Sequence, residues 1–358
     1  MSILTPYTLG SIELKNRLVM APMTRSRATD NIPNDLMVTY YEQRASAGLI
    51  ITEGTAPSPN GLGYPRIPGV YSDAQIAGWK KVTDAVHAKG GKIFLQIMHT
   101  GRVSHPANME EGTRVVAPSA ILASGEMYTD SQGSQPHPVP EEMNAADIAQ
   151  AQEEYVQASR NAIAAGFDGV ELHSANGYLM DQFLNPASNH RSDDYGGEIA
   201  KRNRFVLETA EKVVAAIGGD KTGIRLSPYG AFNDMGIHEE MDAQFTQLAE
   251  GLGKLGLVYL HLVDHSGMGT PEVPTSIKSA MRDAFAATVI IGGNVMDKGS
   301  AESAVASGLG ELVYIGRSYI SNPDLAERFA QGVALAAPNM DTLYTPGPEG
   351  YTDYPAAV

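Results

Sequence analysis

Eight short apolar segments, separated by stretches with helical spacing, constrain the fold of this 358-residue chain more than any other feature. Parallel strands covered on both faces read as continuous apolar runs, and a helix after each strand returns the chain to the same end of the sheet. Eight such units predict an α/β fold, a (β/α)8 barrel forming a single domain over residues 1–358. The predicted strands are Arg17–Pro22, Leu49–Gly54, Lys92–Ile97, Gly169–Leu172, Thr222–Leu226, Val258–Val263, Thr288–Gly292 and Leu312–Gly316.

Segments between these runs carry apolar residues at the spacing of one helix face. A further stretch, 101–144, is rich in Gly, Ser, Asp and Pro and is too long for a simple strand-to-helix connection. We therefore expect an irregular excursion there, over the barrel mouth, and we expect the first sixteen residues to cover the opposite end. The predicted helices are Asn34–Ala47, Asp73–Lys89, Ala145–Ala165, Lys201–Ile217, Ala243–Leu255 and Asp297–Ser307.

Composition excludes several classes of function. The formal net charge of −15 would repel a nucleic-acid backbone or an anionic membrane surface, so neither is an expected partner. The chain has no cysteine, which excludes disulfides, thiolate metal sites and cysteine nucleophiles, and any redox chemistry must come from a cofactor. The start of the chain has no basic region followed by an apolar core, which predicts a cytoplasmic protein.

The polar segment after the fourth predicted strand is the strongest candidate for chemistry, because barrels carry their active sites at the carboxyl ends of their strands. His173 and Asn176 can both donate hydrogen bonds to one substrate oxygen, and Tyr178 offers a phenolic proton. Together these three residues could polarise a carbonyl and deliver a proton. The alternative is that they satisfy backbone groups of the loop and pack its wall.

Glycine turns after the seventh and eighth predicted strands indicate a phosphate site. Gly293 and Asn294 follow the seventh, and Gly316 and Arg317 follow the eighth. Barrels commonly hold phosphate in these two loops, where glycine lets backbone N–H groups approach the ligand. Ordinary tight turns are the alternative.

Two motifs are discounted on their context. The sequence Gly-Leu-Gly-Lys-Leu-Gly at 251–256 matches the dinucleotide fingerprint, but it follows a helical stretch and precedes a strand. His261, Asp264 and His265 could be read as metal ligands, but no carboxylate-rich shell accompanies them, so no metal is expected.

With these positions in place, the chain closely resembles the old yellow enzyme family of flavin ene-reductases, over essentially its whole length. Thr24 stands where the classical branch of that family also carries threonine. Members of this branch tend to be monomeric or weakly associated, so the resemblance implies a monomer or a weak oligomer. Met98 departs from the tryptophan that many relatives carry. The matching segments are Ala21–Arg25, Gln43–Ile50, Gln96 with His99–Arg102, His173–Leu179, Asn189–Arg191, Asp194–Gly197 and Arg225–Pro228.

The resemblance implies noncovalently bound FMN and assigns site residues by position. Gln96 and Arg225 would bind the pyrimidine end of the ring, and the two glycine turns would bind the FMN phosphate. The catalytic set would be Thr24, His173, Asn176 and Tyr178. The implied cofactor-binding residues are Pro22, Met23, Thr24, Gly54, Gln96, His173, Arg225, Gly293, Asn294, Gly316 and Arg317, and the implied substrate-binding residues are Tyr64, Met98, His173, Asn176 and Tyr351.

The implied reaction uses NADH or NADPH to reduce FMN, which then passes hydride to an electron-poor alkene. One alternative is a flavin-free barrel lyase or isomerase in which His173 and Tyr178 act on a phosphorylated substrate. The other is a flavin-binding protein for sensing or storage. The sequence leaves the physiological alkene and the choice of nicotinamide open.

Overall fold

Eight parallel strands close into one barrel in the computed structural model, which describes residues 2–357. They pair in chain order, with the first beside the eighth. Each coincides with a predicted run, and the fourth extends two residues further, so the predicted (β/α)8 fold is confirmed. The strands are Leu18–Met20, Leu49–Ile51, Ile93–Ile97, Gly169–Ser174, Thr222–Leu226, Tyr259–Leu262, Thr288–Ile291 and Leu312–Ile315.

Four of the α-helices within residues 2–357 begin at a side-chain cap that the sequence supplies, Asn34, Ser72, Asn144 or Asp297. The Ser72 side chain accepts a hydrogen bond from the backbone N–H of Gln75, and the Ser72 N–H donates to the Gln75 side chain in return. Asn144 and Asp147 form the same reciprocal pair. No helix within residues 2–357 is long and apolar enough to cross a membrane. The α-helices are Asp35–Glu42, Asp73–Ala88, Ala145–Ala164, Leu179–Leu184, Ile199–Ile217, Met241–Lys254, Thr275–Phe285, Lys298–Ala306, Arg317–Ser321 and Leu325–Gln331.

An N-terminal hairpin closes the end of the barrel at which the strands begin. Its strands, Tyr7–Leu9 and Ile12–Leu14, pair antiparallel. Leu9 is fully buried in an apolar cluster that includes Phe94 and Tyr259 of the barrel strands. The prediction that the first sixteen residues cover this end is confirmed, and the chemistry is left to the opposite end.

The excursion after the third strand is more regular than predicted. It contains an antiparallel hairpin, Glu126–Thr129 with Gly133–Pro136, in a segment for which the sequence predicts no regular structure. Arg66, in the loop after the second strand, forms an ion pair with Asp130 at the tip of this hairpin. The position of the whole excursion, 101–144, over the barrel mouth stays a prediction.

Candidate active site

A cavity of about 320 Å³ opens at the carboxyl ends of the strands. Residues from the first, fourth, fifth, sixth, seventh and eighth strands or their loops line it. A larger open depression of about 700 Å³ lies at the opposite end, near Tyr7 and Asp220, and contains none of the predicted site residues. The predicted site residues that line the first cavity together are Pro22, Met23, Thr24, Asn176, Arg225, Gly293, Gly316 and Arg317.

His173 lies near the end of the fourth strand, in register with Arg225 of the fifth. Its side chain is buried, and this burial, followed by the charge of Arg225, holds the pKa of the imidazole well below its ordinary value. The ring is therefore neutral near pH 7, with one N–H donor. Its Nδ1 is buried without a partner in the described part of the chain. A neutral donor of this kind suits a ligand oxygen.

Asn176 sits in a strained turn that its neighbours hold in place. Its φ of 59° and the φ of 75° at Gly177 are both left-handed, which is costly for asparagine. The Asn176 N–H donates to the Ser227 hydroxyl at 2.9 Å, and the Asn233 amide donates to the Asn176 carbonyl at 2.7 Å. Asp181 accepts from the Gly177 N–H at 2.9 Å and from the Ser227 hydroxyl at 3.2 Å. These hydrogen bonds fix the backbone of Asn176, and with it the position of the Asn176 Cβ.

Tyr178 follows the same turn, and its ring meets that of His173 edge-on with centroids 4.9 Å apart. Its hydroxyl oxygen lies 3.0 Å from that of Tyr64. Burial, and then the neighbouring Tyr64, raises the pKa of Tyr178 well above its ordinary value. The phenol therefore keeps its proton at neutral pH, as a proton donor must.

Arg225 is buried and forms no ion pair within residues 2–357, although Glu171 is near enough for the two charges to interact. Its guanidinium makes no hydrogen bond or ion pair with other described residues, and its Nε is a buried donor without an acceptor. The nearest aromatic ring, that of Tyr314, lies 5.8 Å from the guanidinium carbon. An unpaired cation is costly to bury, so a ligand with acceptor groups or negative charge is expected beside it.

A buried polar cluster lies next to Arg225 on the neighbouring strands. Glu171 accepts hydrogen bonds from the Gln96 amide at 2.7 Å, His261 Nδ1 at 2.8 Å and the Tyr259 hydroxyl at 3.1 Å. Burial raises the pKa of Glu171, but these donors and the nearby Arg225 outweigh it and leave the pKa lowered. Because Gln96 donates its NH2 group to Glu171, its amide oxygen is left for a ligand.

The seventh and eighth strands bring their glycine turns to one end of the cavity. Gly293 has a φ of 123°, which favours glycine, and Gly316 precedes the helix Arg317–Ser321. Gly293, Gly316 and Arg317 line the cavity, whereas Asn294 is exposed and lies outside the lining. The role of these turns in holding phosphate stays a prediction.

Met98, predicted to line the substrate pocket, is instead 1% exposed in a small apolar cluster. Tyr64 and Tyr178 pack against that cluster, so Met98 lies behind the tyrosines. A Cβ placed on Gly54 would come within 2.5 Å of the Met98 sulfur. Gly54 therefore leaves room for the Met98 side chain, which packs there in the apolar cluster.

Tyr351 is the other substrate residue that the structure places elsewhere. It is fully buried, and its ring stacks on Tyr40 with centroids 4.1 Å apart. The guanidinium groups of Arg25 and Arg27 lie 5.2 and 4.8 Å from the Tyr351 ring centroid. Stacking and cation–π contacts hold the ring in the packing beneath the C-terminal segment.

The sequence does not single out three residues that support the site, namely Glu171, Asp181 and Ser227, and it marks His265, which lines the cavity, only as a discounted metal ligand. Glu171 left a signal, because a carboxylate inside an apolar strand needs donors. Asp181 left a similar one within the apolar helix Leu179–Leu184. Ser227 and His265 are loop residues whose partners depend on the tertiary fold.

Comparison with known proteins matches this architecture throughout. A model of the NADH:flavin oxidoreductase / NADH oxidase family matches residues 2–336. The chain is 41% identical to a probable flavin mononucleotide-dependent alkene reductase of Leishmania infantum, covering 99% of this chain and 97% of that protein. The solved structure of morphinone reductase in complex with tetrahydroNAD superimposes with a TM-score of 0.94 at 42% identity, covering 100% of this chain and 98% of that one.

A solved old yellow enzyme homologue from Zymomonas mobilis superimposes with a TM-score of 0.93 at 38% identity, covering 99% of both chains. These similarities extend over the barrel and all of its strand-end loops. The chain therefore belongs to the NADH:flavin oxidoreductase / NADH oxidase family, and its resemblance to the old yellow enzymes is confirmed.

Proposed function

We propose that the chain is an ene-reductase that uses noncovalent FMN and NADH or NADPH to reduce alkenes conjugated to a carbonyl or nitro group. The observation that carries this proposal is a buried histidine that meets a buried tyrosine edge-on and lies in register with an arginine that lines the cavity. His173, Tyr178 and Arg225 supply these groups. The family match supports the flavin chemistry.

The cavity fits FMN by the chemistry of its donors. Arg225 and the free amide oxygen of Gln96 match a polar ring edge that both accepts and donates hydrogen bonds. Gly293, Gly316 and Arg317 match a phosphate at the other end, with Asn294 next to them in sequence. Pro22, Met23, Thr24 and Gly54, at the ends of the first two strands, would contact the ring.

Bound FMN would supply the redox chemistry, the transfer of a hydride equivalent from the nicotinamide to the β-carbon of the alkene. The chain's own contribution is to stabilise the negative charge that develops on the substrate oxygen. His173 and Asn176 would donate hydrogen bonds to that oxygen in a site largely shielded from water. Since the His173 imidazole is neutral, its N–H donates a hydrogen bond to the substrate oxygen and no proton is transferred from the ring.

Tyr178 would complete the reduction at the α-carbon. Its O–H bond breaks as the new C–H bond forms, so the substrate gains one proton for each hydride. The hydroxyl of Tyr64, 3.0 Å away, would donate a hydrogen bond to the oxygen that is left. Solvent then restores the proton.

The two alternatives from the sequence receive no support from the family match, which is to flavin oxidoreductases. Neither a phosphorylated-substrate lyase nor a storage protein calls for an unpaired Arg225 together with the donor pair and Tyr178. The cytoplasmic location and the monomeric or weakly associated state stay predictions. The choice between NADH and NADPH stays open.

Visible absorption spectra test the proposed function. The purified protein is recorded anaerobically before NADPH, after NADPH and after 2-cyclohexenone. We expect flavin bands that bleach with NADPH and return with the enone. A colourless protein that does not take up FMN would overturn the proposal, and flavin that stays bleached would remove the alkene as the oxidant.

A further inference from the structure

His265 lies in the loop after the sixth strand and lines the same cavity as Asn176. Its Nε2 is 3.0 Å from the side-chain oxygen of Asn176. The ring of Phe232 meets the imidazole edge-on, with centroids 4.6 Å apart, and limits its rotation. None of the roles assigned above uses this histidine.

The direction of this hydrogen bond follows from the Asn176 oxygen that faces Nε2, together with the neutral charge of His265. Burial, and then the charge of Arg225, lowers the pKa of His265 to about 4, although Asp264 acts in the opposite direction. The ring is therefore neutral near pH 7 and carries a single N–H. Because an amide oxygen can only accept, that hydrogen must be on Nε2.

An asparagine amide has an acceptor on one side and a donor on the other, and a rotation of half a turn exchanges them. The backbone of Asn176 is fixed by Ser227 and Asn233, so its side chain has this one freedom left. With its oxygen engaged by His265, the NH2 group is the part left for a ligand. The flipped amide would present its oxygen to the substrate oxygen, and two acceptors repel.

We propose that His265 is a positioning residue that holds the Asn176 amide with its NH2 group toward the substrate, and so makes Asn176 a donor. This inference rests on the donor role proposed above for Asn176. The three residues that together resemble metal ligands in the sequence, His261, Asp264 and His265, therefore have different partners. His261 binds Glu171, and Asp264 binds Lys278 at 2.6 Å.

A double-mutant cycle tests this role. The variants are His265→Phe, Asn176→Ala and the two combined, and the control His265→Gln keeps a side-chain N–H donor. Two quantities are measured on FMN-loaded protein, kcat/KM for 2-cyclohexenone and the affinity for p-nitrophenolate, whose anionic oxygen accepts hydrogen bonds. The flavin spectrum follows binding, and its absorbance at purification reports whether each variant folds and keeps FMN.

We expect His265→Phe to lower both quantities about 10- to 100-fold, somewhat less than the full loss of an oxyanion donor. In the Asn176→Ala background the same change should matter less than about twofold, because there is no amide left to orient. His265→Gln should recover most of the loss.

The inference would be overturned if His265→Phe lowered kcat/KM as much in the Asn176→Ala background as in the parent. A His265→Phe variant with unchanged kcat/KM would also overturn it. Either outcome would leave the proposed function intact. A parent protein that binds FMN and p-nitrophenolate but does not reduce 2-cyclohexenone would overturn the proposed function, and the inference with it.

Discussion

The hydroxyl oxygens of Tyr64 and Tyr178 lie 3.0 Å apart, and their rings meet edge-on with centroids separated by 6.1 Å. The pair connects the loop after the second strand to the loop after the fourth. Met98 and its apolar neighbours pack against both rings. The phenol proposed to deliver the proton is therefore held by a second phenol against an apolar wall.

Replacing Tyr178 with phenylalanine should slow the oxidative half-reaction selectively. We expect reoxidation of the reduced flavin by 2-cyclohexenone to slow by about 100- to 10,000-fold, the usual contribution of a positioned general acid. Flavin reduction by NADPH should change little, because it needs no proton from Tyr178. Anaerobic stopped-flow absorbance measures both steps.

Tyr64→Phe is the matched control for this prediction, since it removes the partner hydroxyl and keeps the proposed donor. Its effect on reoxidation should be much smaller. An equal slowing of both half-reactions in Tyr178→Phe would argue for a general structural role and against proton donation.

Arg225→Met should affect the apoprotein and the FMN complex in opposite directions. The guanidinium is buried without a partner among the described residues, so removing its charge should raise the unfolding temperature of the apoprotein. The same change should weaken FMN binding about 10- to 100-fold, because a hydrogen bond to a charged group contributes roughly 1.5–3 kcal/mol.

Thermal unfolding with and without FMN, together with a fluorescence titration of FMN, checks both signs. Unchanged FMN affinity in Arg225→Met would remove this residue from the cofactor site. Arg17, which is on the surface side of the barrel floor and donates to the Glu311 carbonyl, offers a control substitution far from the cavity.

The buried carboxyl of Asp181 should make stability depend on pH. Burial raises its pKa to about 7, so between roughly pH 4 and pH 7 the folded state keeps a proton that the unfolded state has released. Over that window the group lowers the free energy of unfolding by up to about 1.4 kcal/mol per pH unit as pH rises. Asp181→Asn has no carboxyl at this position, so its free energy of unfolding lacks this pH dependence.

Relative to the parent, the stability of Asp181→Asn should therefore rise as the pH increases from about 4 to 7, whatever its absolute stability. Urea unfolding at several pH values measures the difference. Asp84→Asn, which removes a carboxyl at an exposed helix position, is the matched control. A parallel pH dependence of parent and Asp181→Asn would mean that the carboxyl is not protonated in the folded state.

The barrel and its functional end could be predicted from sequence because both follow from local pattern. A buried parallel strand must be apolar along its whole length, and the residues after each strand must meet at one end. This topology brings Arg225, Gly293 and Gly316 into one cavity, although more than ninety positions separate the first from the last.

The remaining parts of the site depend on which side chain fills which space. Family position predicts that Met98 and Tyr351 line the pocket, whereas in the structure Met98 packs at Gly54 and Tyr351 stacks on Tyr40. The contact between His265 and Asn176 joins residues 89 positions apart. No periodicity or motif encodes such a pair. The helix Thr275–Phe285 lies outside the predicted set, although Ile277, Met281 and Phe285 recur at helical spacing.

The most direct test of the proposed mechanism is the rate at which 2-cyclohexenone reoxidises the anaerobically reduced His173→Ala variant. The account predicts that this variant keeps its FMN and that reoxidation slows about 100- to 1000-fold, the typical cost of losing one oxyanion donor. A rate equal to that of the parent protein, with FMN fully bound, would contradict the claim that the buried neutral His173 holds the substrate oxygen.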